Sequence, residues 1–171
     1  MYSQERIIKA ANNIIKKCGT RDPNKITKDL NIIIVPHYFK KQRGAYKVIQ
    51  KNRFIFINTE LDPIMEQIVL FHEIGHDILH RDKAVTGSFQ EFNIFDMRNN
   101  RTEYEANVFA AQLALPDDEI LEYINYGYDI EQIARAMNSD INLVALKVDI
   151  LISQGYNLRP QEHKNDFLKY N

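Results

Sequence analysis

A chain of 171 residues, 44% hydrophobic and 26% charged, is long enough to bury a core in one compact domain. Its 22 basic and 23 acidic residues leave a formal net charge of −1, so nothing global drives it toward nucleic acid or an anionic membrane. The single cysteine, Cys18, excludes an intramolecular disulfide framework. With no run of eighteen apolar residues and no secretory segment at the start, a cytoplasmic location is expected.

Ile7, Ile8, Ala11, Ile14 and Ile15 recur at helical spacing and predict a first helix from about Ser3 to Lys17, stopped by Gly19. Cys18 beside that stop reads as a partly buried structural thiol. Asp22-Pro23 is a cap followed by a proline at a first helical position, opening a short helix that Asn31 ends. Ile32 to Val35 are all β-branched and predict a strand closed by Pro36. Two more runs, Ala45 to Ile49 and Arg53 to Asn58, are joined by Gln50-Lys51-Asn52 as a hairpin. A small sheet thus precedes the next helix, and its edge offers a place where an extended peptide can add as a strand.

Asp62-Pro63 starts a helix expected to end near His80, and inside it lies His72-Glu73-Ile74-Gly75-His76. Histidines four apart project from one face of a helix and can share one metal ion, with Glu73 placed as a base toward a water rather than as a ligand. The apolar residues around the motif put these polar groups beside a core, where burial is costly unless something binds them. Gly75 leaves room for another element or a substrate to approach. His80 lies one further turn along, too far from His72 to share a tetrahedral ion, and is assigned a helix-end or substrate-side role.

Residues from Arg81 to about Arg101, with Phe89, Phe92 and Phe95, read as an irregular crossover walling the site. The next helix, Thr102 to Leu115, ends at Pro116 and offers two carboxylates, Glu103 and Glu105, on different faces. Asn107 and Ala110 share the small-residue face with Glu103, which makes Glu103 the better of the two as a third ligand and leaves Glu105 solvent-facing, with Asn107 placed to hydrogen-bond a ligand histidine.

The HEIGH motif followed by Glu103-Tyr104-Glu105-Ala106-Asn107-Val108-Phe109-Ala110-Ala111 and Leu115-Pro116 resembles the ImmA/IrrE family of zinc metallopeptidases. That resemblance implies one Zn2+ on His72, His76 and Glu103, Glu73 as catalytic base, and a protein substrate, a helix-turn-helix repressor, whose cleavage relieves repression of a prophage or mobile element. Oxyanion donors remain open between Tyr104, His80 and other residues. Two other readings stay open: a non-catalytic antagonist that binds the repressor, and a DNA-binding regulator.

Beyond Pro116, a helix led by three acids precedes two helices around a turn, capped by Ser139, that look like a helix-turn-helix. Only Arg135 and Lys147 are basic between Asp129 and Gln154, so direct DNA binding is not expected. The expected fold is α+β and zincin-like: a small, mostly antiparallel sheet packed on the HExxH helix, with a helical C-terminal portion. Residues 1–116 form the metallopeptidase core, 117–156 a helical extension packed on it, and 157–171 a polar tail with a solvated His163.

Overall fold

The computed structural model describes residues 2–85 and 101–159. Most of the expected crossover, with Phe89, Phe92 and Phe95, and most of the tail, with His163, lie outside the described residues.

Helix α1 runs Gln4–Cys18, with Ser3 accepting from the Arg6 N–H and Gly19 turning left-handed at φ 65° to end it. Helix α2 is Pro23–Asp29, its first turn capped by the Asp22 carboxylate on the Asn24 and Lys25 N–H groups. Three strands follow, β1 Ile32–His37, β2 Gly44–Ile49 and β3 Asn52–Asn58, in the order β1-β3-β2. The sheet is mixed rather than mostly antiparallel: β2 and β3 form the antiparallel hairpin, while β1 pairs parallel to β3. The chain reaches β2 through residues 38–43 before returning in β3, so β3 takes the central place between them. As an edge strand, β1 continues through Pro36, whose missing N–H costs no ladder bond on an open side. The hairpin turn is tighter than expected, with Gln50 at φ 50° and Lys51 at φ 68° between the paired Ile49 and Asn52, as a two-residue primed turn requires.

Helix α3, Pro63–Val85, is capped by Asp62 on the Ile64 and Met65 N–H groups. It passes the expected end at His80, where the backbone leaves helical geometry at φ −128°, ψ 16°. Helix α4 is Arg101–Ala114, followed by α5 Asp117–Asn125, α6 Ile130–Ala136 and α7 Ile141–Ser153. Asp129 and Gln132 form a capping box on α6. The cap of α7 is Asp140, not Ser139: the aspartate carboxylate accepts from the Asn142 N–H at 2.7 Å, while the Ser139 N–H continues back to the Ala134 carbonyl.

Helix α3 lies between the sheet and α4, and α1 and α7 pack behind α4. The close approach of α3 to α4 depends on Gly75, where a Cβ would stand 3.2 Å from both Cα and O of Ala106. Behind α4, Lys147 is fully buried with its ammonium on Gln112 Oε1 at 2.5 Å and on Asp117, and Gln112 Nε2 donates to Asn12 Oδ1 at 3.0 Å. This network ties α1, α4, α5 and α7 together. It also removes Lys147 from any phosphate contact, and Arg135 pairs with Glu131 on its own helix. Among the described residues no helix is long and apolar enough to cross a membrane.

Candidate metal centre

His72 and His76 stand on the face of α3 that meets α4, and α4 brings Glu103 onto them. His72 Nε2 lies 3.0 Å from His76 Nε2, and Glu103 Oε2 lies 3.1 Å from the first and 3.4 Å from the second. All three side chains are buried. A tetrahedral ion with bonds of about 2.0–2.1 Å holds its ligand atoms about 3.3 Å apart, so this triangle is the size such an ion needs. The other ring nitrogens are accounted for. His72 Nδ1 donates to Asn107 Oδ1 at 2.8 Å, which fixes the tautomer that leaves Nε2 a free lone pair.

His76 is held by a longer chain. His80 Nε2 donates to Glu105 Oε2 at 3.1 Å, leaving His80 Nδ1 to accept from His76 Nδ1 at 3.1 Å, so His76 also presents its Nε2. The departure from helical geometry at His80 accompanies this contact. Glu105 is therefore buried, not solvent-facing: its other oxygen accepts from the Tyr2 N–H at 3.2 Å and from Arg101 Nε at 3.1 Å. His80 sits inside the helix, supporting a neighbour rather than capping an end. Beside it a cavity of about 390 Å³ opens between Tyr2, His80, Lys83, Arg101 and Glu105.

Tyr104 is not brought into this cluster; it is 38% exposed and lies within reach of the Asp149 charge on α7.

Glu73 occupies the sheet side of α3 and is 1% exposed, yet among the described residues neither of its carboxylate oxygens has a partner at full hydrogen-bond distance, although the Tyr46 N–H lies close enough to favour its charge, and Glu103 Oε1 has none either. Unpartnered buried carboxylates are expensive, and their presence beside two free imidazole lone pairs fits a cation and a polar reactant. Burial raises the Glu73 pKa, opposed by His72 and His76. Burial works against the charge of Glu103 as well, but His76 and His72, when they carry protons in place of an ion, outweigh it and hold that carboxyl at about 2. Burial and the neighbouring His76 push His80 down to about 4, in keeping with a neutral imidazole that donates to Glu105 and accepts from His76.

Two supporting features were not foreseen from sequence. Gly44, at the start of β2, passes so close over α3 that a Cβ would meet Val69 Cγ1 at 2.6 Å and Glu73 Oε1 at 3.0 Å. Asp77, fully buried on the same side, accepts from Tyr46 Oη at 2.7 Å, Arg53 at 3.0 Å and Arg81 at 2.8 Å, and Arg53 also reaches the Leu30 carbonyl. The aspartate thus pins β2, β3 and the end of α2 to the histidine helix. A buried polar residue one place after the second histidine was a usable signal for it.

Residues 27–148 match the IrrE N-terminal-like domain of peptidase family M78. The chain belongs to the ImmA/IrrE family. It is 34% identical over 143 residues to an uncharacterized immunity region protein 2 of Bacillus phage phi105, covering 82% of this chain and 89% of that one. It is 29% identical over 143 residues to metallopeptidase ImmA of Bacillus subtilis (strain 168), covering 81% of each. Membership in this family and the His-His-Glu cluster together indicate a metal-dependent peptidase.

Two substitutions probe the supports of the site. Gly44→Ala should lower turnover about 10- to 100-fold with metal content unchanged, because the added methyl meets Glu73 and Val69 but no ligand; kinetics beside metal analysis checks this. Asn107→Ala should weaken metal binding about 10- to 100-fold, read by competition with a chromogenic chelator, since the His72 ring loses the acceptor that orients it.

Proposed function

We propose that this protein is a zinc endopeptidase that cuts a helix-turn-helix repressor at one site and so relieves repression of a prophage or mobile element. The observation that carries the reading is the pairing of a ligand-sized His72, His76 and Glu103 triangle with a buried, unpartnered Glu73. The immunity region relative and ImmA support the setting.

His72, His76 and Glu103 would hold the ion through Nε2, Nε2 and a carboxylate oxygen. A bound zinc ion would supply Lewis acidity, which polarises a peptide carbonyl and brings the pKa of a water down to about 7. Glu73 accepts the proton of the attacking water at its carboxylate and delivers it to the leaving amine. Its burial favours the first transfer, because a carboxylate stripped of solvent gains more from holding the proton, and the leaving amine, a stronger base than any carboxylate, takes the proton in the second. Asn107 and the His80–Glu105 pair keep the two imidazoles in the tautomer that serves the ion. They act through the ligands, not on substrate.

The test is incubation of the purified protein with the helix-turn-helix repressor encoded nearest its gene, with fragments read by mass spectrometry. One defined cut, absent in chelator, is expected. An intact repressor under conditions where the protein holds its zinc ion would overturn the reading.

A further inference from the structure

Among the described residues, the second face of the sheet takes no part in the metal centre and meets the core only at its margin, through Ala45. On the side toward α3, Tyr46, Ile55 and Ile57 are buried. The alternate residues point the other way in two rows across the three strands, Ile33 with Phe54 and Lys47, then Val35 with Phe56 and Ala45. Phe54 and Phe56 stack at 6.2 Å between centroids, and His37 meets Phe56 edge-on at 6.1 Å and Phe39 at 4.6 Å, so the face is ordered. Its flanks are open, with Ile33 47% and Ile49 46% exposed, while Val35, Ala45, Phe54 and Phe56 between them are half-buried.

Its charge is one-sided. From Asn31 to Thr59 the chain holds Lys40, Lys41, Arg43, Lys47, Lys51 and Arg53 and no Asp or Glu, in a protein whose acids outnumber its bases by one. The two arginines turn inward, Arg43 to Met65 and Arg53 to Asp77. The four lysines are exposed, with Lys47 on the face itself, Lys40 and Lys41 at one end and Lys51 at the other. An apolar patch ringed by cations matches an apolar surface ringed by carboxylates.

We propose that this face is a docking surface for the protein substrate and takes a segment that presents apolar side chains flanked by Asp or Glu. The inference rests on the peptidase function above. Position supports it: β2 carries Lys47 on its outer side and, at Gly44, closes over Glu73 on its inner side, so a segment docked on the outer face stacks about 10 Å from the strand that walls the site. Aliphatic Ile33, Val35 and Ile49 suit protein side chains better than bases. The phenylalanine rings are occupied by one another and by His37, whereas single-stranded nucleic acid needs free aromatic platforms.

The experiment compares wild type with the double variant Lys47→Glu, Lys51→Glu and with Ile33→Ser, all at exposed positions. Two substrates are used, the intact repressor and a short peptide spanning its cut. The docking surface predicts a KM for the intact repressor raised about tenfold or more by each variant, with kcat unchanged and peptide kcat/KM unchanged. It also predicts a wild-type KM that rises with salt. Equal KM values for wild type and variants would overturn it while leaving the peptidase reading intact. A wild type that cuts neither substrate would overturn that reading, and this occupant with it. A single-stranded oligonucleotide that binds wild type but not the double variant, with repressor KM unchanged, would give the face to nucleic acid instead.

Discussion

Glu73→Gln is expected to lower repressor cleavage about 10²- to 10⁴-fold, the usual worth of a positioned general base. Zinc content should stay at one ion per chain, because His72, His76 and Glu103 form the ligand triangle without Glu73. The apoprotein should at the same time melt higher than wild type. Glutamine removes a carboxylate that is 1% exposed with neither oxygen partnered, and it is close to it in shape. Loss of activity together with a gain in apo stability distinguishes a base kept for chemistry from a residue kept for folding. A variant that lost activity, metal and stability together would sink the assignment, as would one that still cut at the wild-type rate.

Asp77→Ala should be the most damaging change outside the metal ligands. It strands the Tyr46 hydroxyl and takes from Arg53 a buried carboxylate partner. Breaking a buried pair from one side costs about 3–5 kcal/mol. For a protein of this size each kcal/mol lowers Tm by about 2–4 °C, so a fall of roughly 10 °C is expected in a thermal scan. Activity should fall too at temperatures well below the melt, because β2 would no longer be pinned above Glu73. A Tm within 2 °C of wild type, about what a single weak contact is worth, would show that Arg53 and Tyr46 find other partners.

The His72, His76 and Glu103 cluster was readable in the sequence because its geometry is local. Histidines four apart on an apolar helix meet on one face, and the small residues of α4 marked the surface on which Glu103 and Asn107 face them. Glu105 was misplaced for a reason of the same kind. Two positions from Glu103 it belongs on another face, but that face is not solvent: it meets His80 and the backbone of Tyr2, 103 residues away in sequence, which no periodicity encodes. Likewise the parallel pairing of β1 with β3 follows from which strand takes the centre, a choice made by packing. Lys147 counted as a basic residue in the sequence, yet its partners Gln112 and Asp117 come from other helices.

The unpartnered oxygens of Glu73 and Glu103 have a consequence beyond catalysis. A ligand set buried without its ion lowers the stability of the empty fold, and whatever free energy the ion contributes on binding returns to the folded state by mass action. At free metal a thousand times the dissociation constant, that linkage is worth about 4 kcal/mol. The amount of this protein that survives proteolysis in a cell would then follow the supply of its metal, which would set its abundance as well as its turnover.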